Sequence, residues 1–176
     1  MLRRSEVNEV KVKGMHESAA GLGRRLKRIL IADDNEGTRR ELARQLAGVE
    51  GLVVDQVGNG RDAISAAEDN KPDAIVMDMR MPVMDGYKAM RAIRTSRNGL
   101  KKVPIIALTE AYMSGEIERC IRAGASDYVA RPFTDNDTLR AKVLFWSTLG
   151  RDEFAASAPA TSATPRRRNS PPSRSR

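Results

Sequence analysis

Asp73-Ala-Ile-Val-Met-Asp78-Met-Arg-Met-Pro-Val-Met-Asp85-Gly86 decides how the rest of this chain reads. An apolar run stops abruptly on a carboxylate, and Met-Pro and Asp-Gly breakers follow within eight residues. The pattern predicts a buried parallel strand that delivers Asp78 to the mouth of a loop. Upstream, Arg28-Ile-Leu-Ile-Ala runs into Asp33-Asp34 in the same way. Two parallel strands ending on three carboxylates crowd like charges together, which is costly unless a divalent cation neutralises them. Seen alone, an acidic pair is more often helix-cap chemistry. Here Asn35 is the better cap, which leaves Asp33 and Asp34 for a metal. The residues point to aspartate-based, metal-assisted phosphoryl chemistry.

Apolar runs and helical patterns alternate on either side of this segment. Strands are predicted at Arg28–Ala32, Leu52–Gln56, Ala74–Met77, Val103–Leu108 and Tyr128–Ala130. They are rich in Val, Ile or Leu and mostly lack polar alternation, as expected of strands covered on both faces. Helices are predicted at Glu36–Ala47, Gly60–Asn70, Gly86–Ser96, Ser114–Ala123 and Asp135–Ser147. Asn35 and Thr134 are placed to cap the first and last, Gly124 to end the fourth, and Asp85-Gly86 to turn the chain into the third. Five strands alternating with five helices give an α/β doubly wound parallel sheet. Such sheets bind ligands outside the carboxyl ends of their strands, where Asp33, Asp34, Asp78 and Thr109 all fall.

The 176 residues allow one ordinary domain with tails, and the net charge is +8. That charge belongs to the ends: residues 1–27 hold seven Lys/Arg against three Asp/Glu, and residues 150–176 hold six against two. The segment 28–149 has eighteen of each, so the domain itself is neutral and the basicity says little about its partner. Residues 1–26 are expected to form a flexible basic arm, with a weak helix near Val7–Met15. Residues 150–176, rich in Arg, Ser and Pro, are expected to form a disordered tail. Nucleic acid would be touched at most weakly, through these tails. Cys120 is the single cysteine, which excludes an intrachain disulfide and suits a reducing compartment. No apolar stretch reaches the roughly 18–20 residues of a membrane span. Early charges interrupt any leader core, so the reading is a cytoplasmic protein. His16 lies in the arm and reads as a solvated histidine, while Phe145 and Trp146 read as packing residues.

Four elements in order complete the picture: Ile29-Leu-Ile-Ala-Asp33-Asp34-Asn35, Val76-Met-Asp78-Met-Arg-Met-Pro82-Val-Met-Asp85-Gly86, Ile105-Ile-Ala-Leu-Thr109, and Gly124-Ala-Ser-Asp127-Tyr128-Val-Ala-Arg131-Pro132-Phe133. Together they resemble the response-regulator receiver domain of two-component and phosphorelay signalling, over about Lys27 to Leu149. The Met-Pro-Val-Met-Asp-Gly run is similar to receivers of hybrid histidine kinases. The resemblance implies a flavodoxin-like strand order, 2-1-3-4-5. It implies that Asp78 is the phosphoacceptor and that Mg²⁺ is held by Asp34, Asp78 and the Arg80 backbone carbonyl, with Asp33 acting through water. It gives Thr109 the hydroxyl that meets the phosphoryl group, Tyr128 the aromatic switch, and Arg131–Pro132 a cis peptide bond.

One position departs from the family, which has a lysine where this chain has Arg131. Arginine keeps the charge but is larger, planar and forked, which puts the coupling of phosphorylation to Thr109 and Tyr128 in question. The expected function is a stand-alone receiver, not an enzyme with turnover. It takes a phosphoryl group from a histidine kinase or histidine phosphotransfer protein and signals to a protein target through the Ser114–Ser147 face. The residues beyond Leu149 are too few and too polar for a DNA-binding helix-turn-helix domain. The alternative is a phosphorylation-independent pseudo-receiver, disabled by Arg131. A phosphatase of the aspartate-nucleophile kind would want a second acid at position 80, where this chain has Arg80. Arg80 is instead expected to overhang the acceptor and hinder hydrolytic water.

Overall fold

The computed structural model describes residues 25–110, 115–133 and 136–157. In chain order the elements are β1 (Lys27–Ala32), α1 (Glu36–Ala47), β2 (Leu52–Val57), α2 (Gly60–Asn70), β3 (Ala74–Asp78), α3 (Gly86–Thr95), a 3-10 turn at Leu100–Lys102, β4 (Ile105–Thr109), α4 (Glu116–Ala123), β5 (Asp127–Ala130) and α5 (Asn136–Ser157). All strand pairs are parallel and the order is β2-β1-β3-β4-β5, as the resemblance implied. Order reverses between β1 and β3, so the carboxyl ends of those two strands flank the crevice of the sheet.

Side-chain alternation on the central strands divides the core in two. Leu30, Ala32, Ile75, Met77, Ile105 and Ala107 face one layer with α2, α3 and α4, whose Ala63, Ala67, Met90, Ile93 and Cys120 are buried against them. Ile29, Ile31, Val76, Ile106 and Leu108 face the other, where α1 and α5 supply Leu42, Leu46, Leu139 and Val143. The edge strand β2 is only half-buried along its whole length, so the expectation of full cover fails there. Its Asp55 instead receives two hydrogen bonds of 3.0 Å from the Arg28 guanidinium on β1.

Capping follows the sequence. Asn35 accepts from the backbone of Thr38 at 3.0 Å, and Asp85 from that of Lys88 at 2.7 Å. Gly124 ends α4 with φ of 108°, a conformation that glycine tolerates best. Val83 has φ of 66° and centres a tight turn in which Met84 N donates to Pro82 O at 2.7 Å. At the far end of α3, the half-buried Arg94 guanidinium donates to the carbonyls of Gly124 (2.8 Å) and Val103 (2.7 Å). Burial lowers its pKa to about 10.

Three boundaries differ from the sequence reading by two residues or more. The fourth strand begins at Ile105 rather than Val103, because Val103 N closes the preceding turn on Leu100 O at 2.9 Å and Pro104 has no N–H to offer. The fourth helix begins after Gly115, which has φ of 82°. The last helix continues past Ser147 to Ser157, so residues 150–157, read as tail from their composition, are helical. Glu153, Ala155 and Ala156 are good helix formers that the polar and small-residue count concealed. The arm 1–24 with His16 and its expected helix, the cap Thr134, and the tail 158–176 lie outside the described residues.

Candidate functional site

Strands β1 and β3 deliver their acids to one point. Asp33 follows β1, is fully buried, and accepts from Asn35 N at 2.9 Å. Its carbonyl and that of Asp34 receive Arg39 Nη1 at 2.7 and 3.1 Å, which fixes the loop before α1. Asp34 is exposed, whereas Asp78, the last residue of β3, is 7 % exposed. Each of the three carboxylates offers an oxygen, and these oxygens lie within 4.8 Å of one another.

The Arg131 guanidinium bonds Asp33 and stands 3.8 Å from Asp78 Oδ1. Burial raises the Asp78 pKa. Arg131 opposes that rise, the Asp33 charge adds to it, the Arg80 backbone N–H opposes it, and the Asp34 charge adds a smaller part. Three carboxylates against one guanidinium leave two negative charges, which is the deficit one divalent cation fills. The donors are all hard oxygens, the kind Mg²⁺ prefers, and the exposed Asp34 leaves room for the waters it retains. The residues fit the ion.

Thr109 ends β4 beside Asp78, whose register partner on that strand is Leu108. Its hydroxyl is buried without a well-formed hydrogen bond, and its polar neighbour is the weakly donating Cys120 thiol. An unsatisfied buried hydroxyl costs about 1–3 kcal/mol, so this group is poised to bond an oxygen entering the cleft. Tyr128 lies on β5 opposite Ala107, half-buried, with the Lys142 ammonium 5.6 Å from its ring centre. Arg131–Pro132 is cis, and the Arg131 guanidinium lies 5.5 Å from the Phe133 ring centre. Asp34, Asp78, Arg80, Thr109 and Arg131 all line one cleft of about 440 Å³.

Sequence reasoning missed the outer part of this cleft. Glu110 and Glu116 also line it, and Arg80, expected to overhang the acceptor, bonds Glu110. Tyr87 is buried behind them, donating to Glu116 with its ring beneath Arg119 at 4.0 Å. Burial, then the hydrogen bond to Glu116, drive the Tyr87 pKa far above its ordinary value. That same bond holds Glu116 below its own. Glu110 was findable, since it follows a strand end as Asp33 does. The Tyr87–Glu116 pair has no local signature.

A 2-1-3-4-5 parallel sheet with acids gathered at its carboxyl edge is the architecture of a receiver domain, and the comparisons give the same family. The family model for the response regulator receiver domain matches residues 29–144. The chain belongs to the response regulator receiver family. The regulatory protein AtoC of Escherichia coli is 39 % identical over 109 residues, covering 61 % of this chain and 23 % of that protein. The transcriptional regulatory protein PdtaR of Mycobacterium tuberculosis is 36 % identical over 115 residues, covering 65 % and 54 %. The chain thus spans about half or less of the length of these relatives. Among solved structures, the receiver domain of sensor histidine kinase PA1611 from Pseudomonas aeruginosa, with magnesium coordinated in its active site cleft, is 38 % identical with a TM-score of 0.63. That match covers 69 % of this chain and 98 % of that one. No helix among the described residues is long and apolar enough to cross a membrane.

Proposed function

We propose that this chain is a phosphoacceptor receiver that takes a phosphoryl group onto Asp78 from a histidine kinase or histidine phosphotransfer protein in the cytoplasm. The observation that carries this reading is the meeting of Asp33, Asp34 and Asp78 within 4.8 Å. Asp34, Asp78 and the Arg80 carbonyl would hold Mg²⁺, with Asp33 reaching it through water. When bound, the ion would neutralise the acids and draw charge from the phosphoryl oxygens. An Asp78 carboxylate oxygen attacks phosphorus as the bond to the donor nitrogen breaks, and the nitrogen keeps the electron pair. Thr109 bonds one phosphoryl oxygen and Arg131 supplies the cation beside another.

Output runs through protein contacts on the Ser114–Ser147 face. The new charge draws Thr109 towards it, Tyr128 turns inward, and the conformer that binds the phosphoryl group better becomes populated. The module has no turnover of its own beyond phosphorylation from small donors and hydrolysis of its own acyl phosphate. Incubation with acetyl phosphate and Mg²⁺ should add the mass of one phosphoryl group, and Asp78→Asn should abolish it. An unlabelled wild-type chain would sink the reading.

A second reading, a pseudo-receiver working without phosphorylation, draws support from Arg131, which is tied to Asp33 where the family has lysine. Arg131→Lys separates the two. Under the first reading it changes the rate of labelling several-fold at most. Under the second it creates labelling where the wild type has none.

A further inference from the structure

Arg80 and Glu110 sit on the two loops that flank the acceptor. Arg80 lies two residues beyond Asp78, at the end of β3, and Glu110 follows Thr109 at the end of β4. These strands are neighbours, so the ion pair between their side chains bridges the two loops at the rim of the cleft. The Arg80 side chain is 64 % exposed, whereas that of Glu110 is 26 % exposed and lies closer in. Glu116 lines the same rim within the field of Arg80. Glu116 is already paired with Arg119, so Arg80 is the guanidinium that balances Glu110 at an opening that must admit a doubly negative phosphoryl group.

An incoming dianion draws Arg80 towards itself, and each step in that direction uncovers Glu110. The rim then repels the charge the cleft is meant to receive, in a part-buried setting where screening is weaker than in open solvent. We propose that Glu110 is a specificity-determining residue of this site. Its carboxylate, masked by Arg80 at rest, discriminates against free dianionic phosphoryl donors in favour of donors carrying less charge. The inference rests on Asp78 being the acceptor.

The test compares labelling of the full chain, with Mg²⁺, by acetyl phosphate (two negative charges near neutral pH) and by phosphoramidate (net charge of one). In each case the Asp78 oxygen bonds phosphorus and the leaving group departs with its electron pair, as acetate or, after protonation, as ammonia. Glu110→Gln keeps the size and removes the charge. It should speed acetyl phosphate labelling about fivefold and phosphoramidate labelling about twofold, and added salt should shrink the difference. Arg80→Ala should slow acetyl phosphate labelling severalfold beside Glu110 and far less beside Glu110→Gln, because the two residues act as a unit. Equal rates for Glu110→Gln and wild type would overturn the proposal. So would an Arg80→Ala penalty of the same size in both backgrounds. Failure of the wild type to label with either donor would instead bring down the acceptor reading and this inference with it.

Discussion

Gly86 lies so close beneath Asp78 that a Cβ built on it would stand 2.2 Å from the Asp78 carbonyl oxygen. The next nearest atom, Met79 Cε, would be 2.8 Å away. The methionine can move, but the β3 backbone cannot without carrying Asp78 with it. Gly86→Ala should therefore destabilise the fold by about 3 kcal/mol, as overpacking against main chain does. It should also weaken Mg²⁺ binding. Gly48, with φ of −79° and open space around it, is the control: Gly48→Ala should be neutral or stabilising by up to about 1 kcal/mol. Denaturant midpoints for the two variants would decide the matter, and similar midpoints would refute it.

Val83 carries the opposite kind of constraint. A β-branched residue at φ of 66° is strained, and this side chain is 77 % exposed, so little packing compensates it. Val83→Gly should raise stability by about 1 kcal/mol, seen as a rise in Tm of about 4 °C. A lower Tm would mean the side chain has a contact that the fold does not reveal.

The raised pKa of Asp78 marks a charge the apo fold holds at a cost. A carboxyl whose folded pKa exceeds its unfolded one favours folding while protonated. That advantage disappears as pH climbs from the ordinary carboxylate value through the raised one. At neutral pH, Asp78→Asn should stabilise the metal-free protein by about 1 kcal/mol. Saturating Mg²⁺ should stabilise the wild type, by about 2.7 kcal/mol at a hundred times its Kd, and leave Asp78→Asn almost unmoved. Thermal melts with and without the ion test both halves.

Asp127 behaves in the other sense. Burial pulls its pKa up, but Lys142 at 2.6 Å, the Trp146 indole at 3.0 Å and the Tyr128 N–H at 2.8 Å outweigh that and leave it lowered. Its contribution is present above the ordinary carboxylate value and is lost as pH falls through the lowered one. Trp146 is the sole tryptophan, so its emission should change in that acid window. Asp127→Asn should remove the step and cost about 1–2 kcal/mol. An unaltered acid profile in that variant would place the transition elsewhere.

Most of this architecture was legible because its signals are local. A strand that ends on Asp33 or Asp78, a cap at Asn35 and a left-handed stop at Gly124 each declare themselves within a few residues. The convergence of acids followed once the strands were taken as parallel, since ligands gather at the carboxyl edge of such sheets. What escaped was set by tertiary partners. Nothing beside Tyr87 announces that its hydroxyl will meet Glu116, twenty-nine residues on. The half-burial of β2 depends on its place at the edge, and the extra turns of α5 ran under a composition that looked like tail.

Arg94 has a mechanical implication. Its guanidinium fastens the end of α3 to the carbonyl of Gly124, the residue on which α4 stops. The terminus of α4 at Ala123 is thereby tied to α3, and its first residue, Glu116, is tied to the same helix by the Tyr87 hydroxyl. α3 thus grips α4 at both ends, so a shift of one helix against the other has to break a bond at Gly124 or at Glu116.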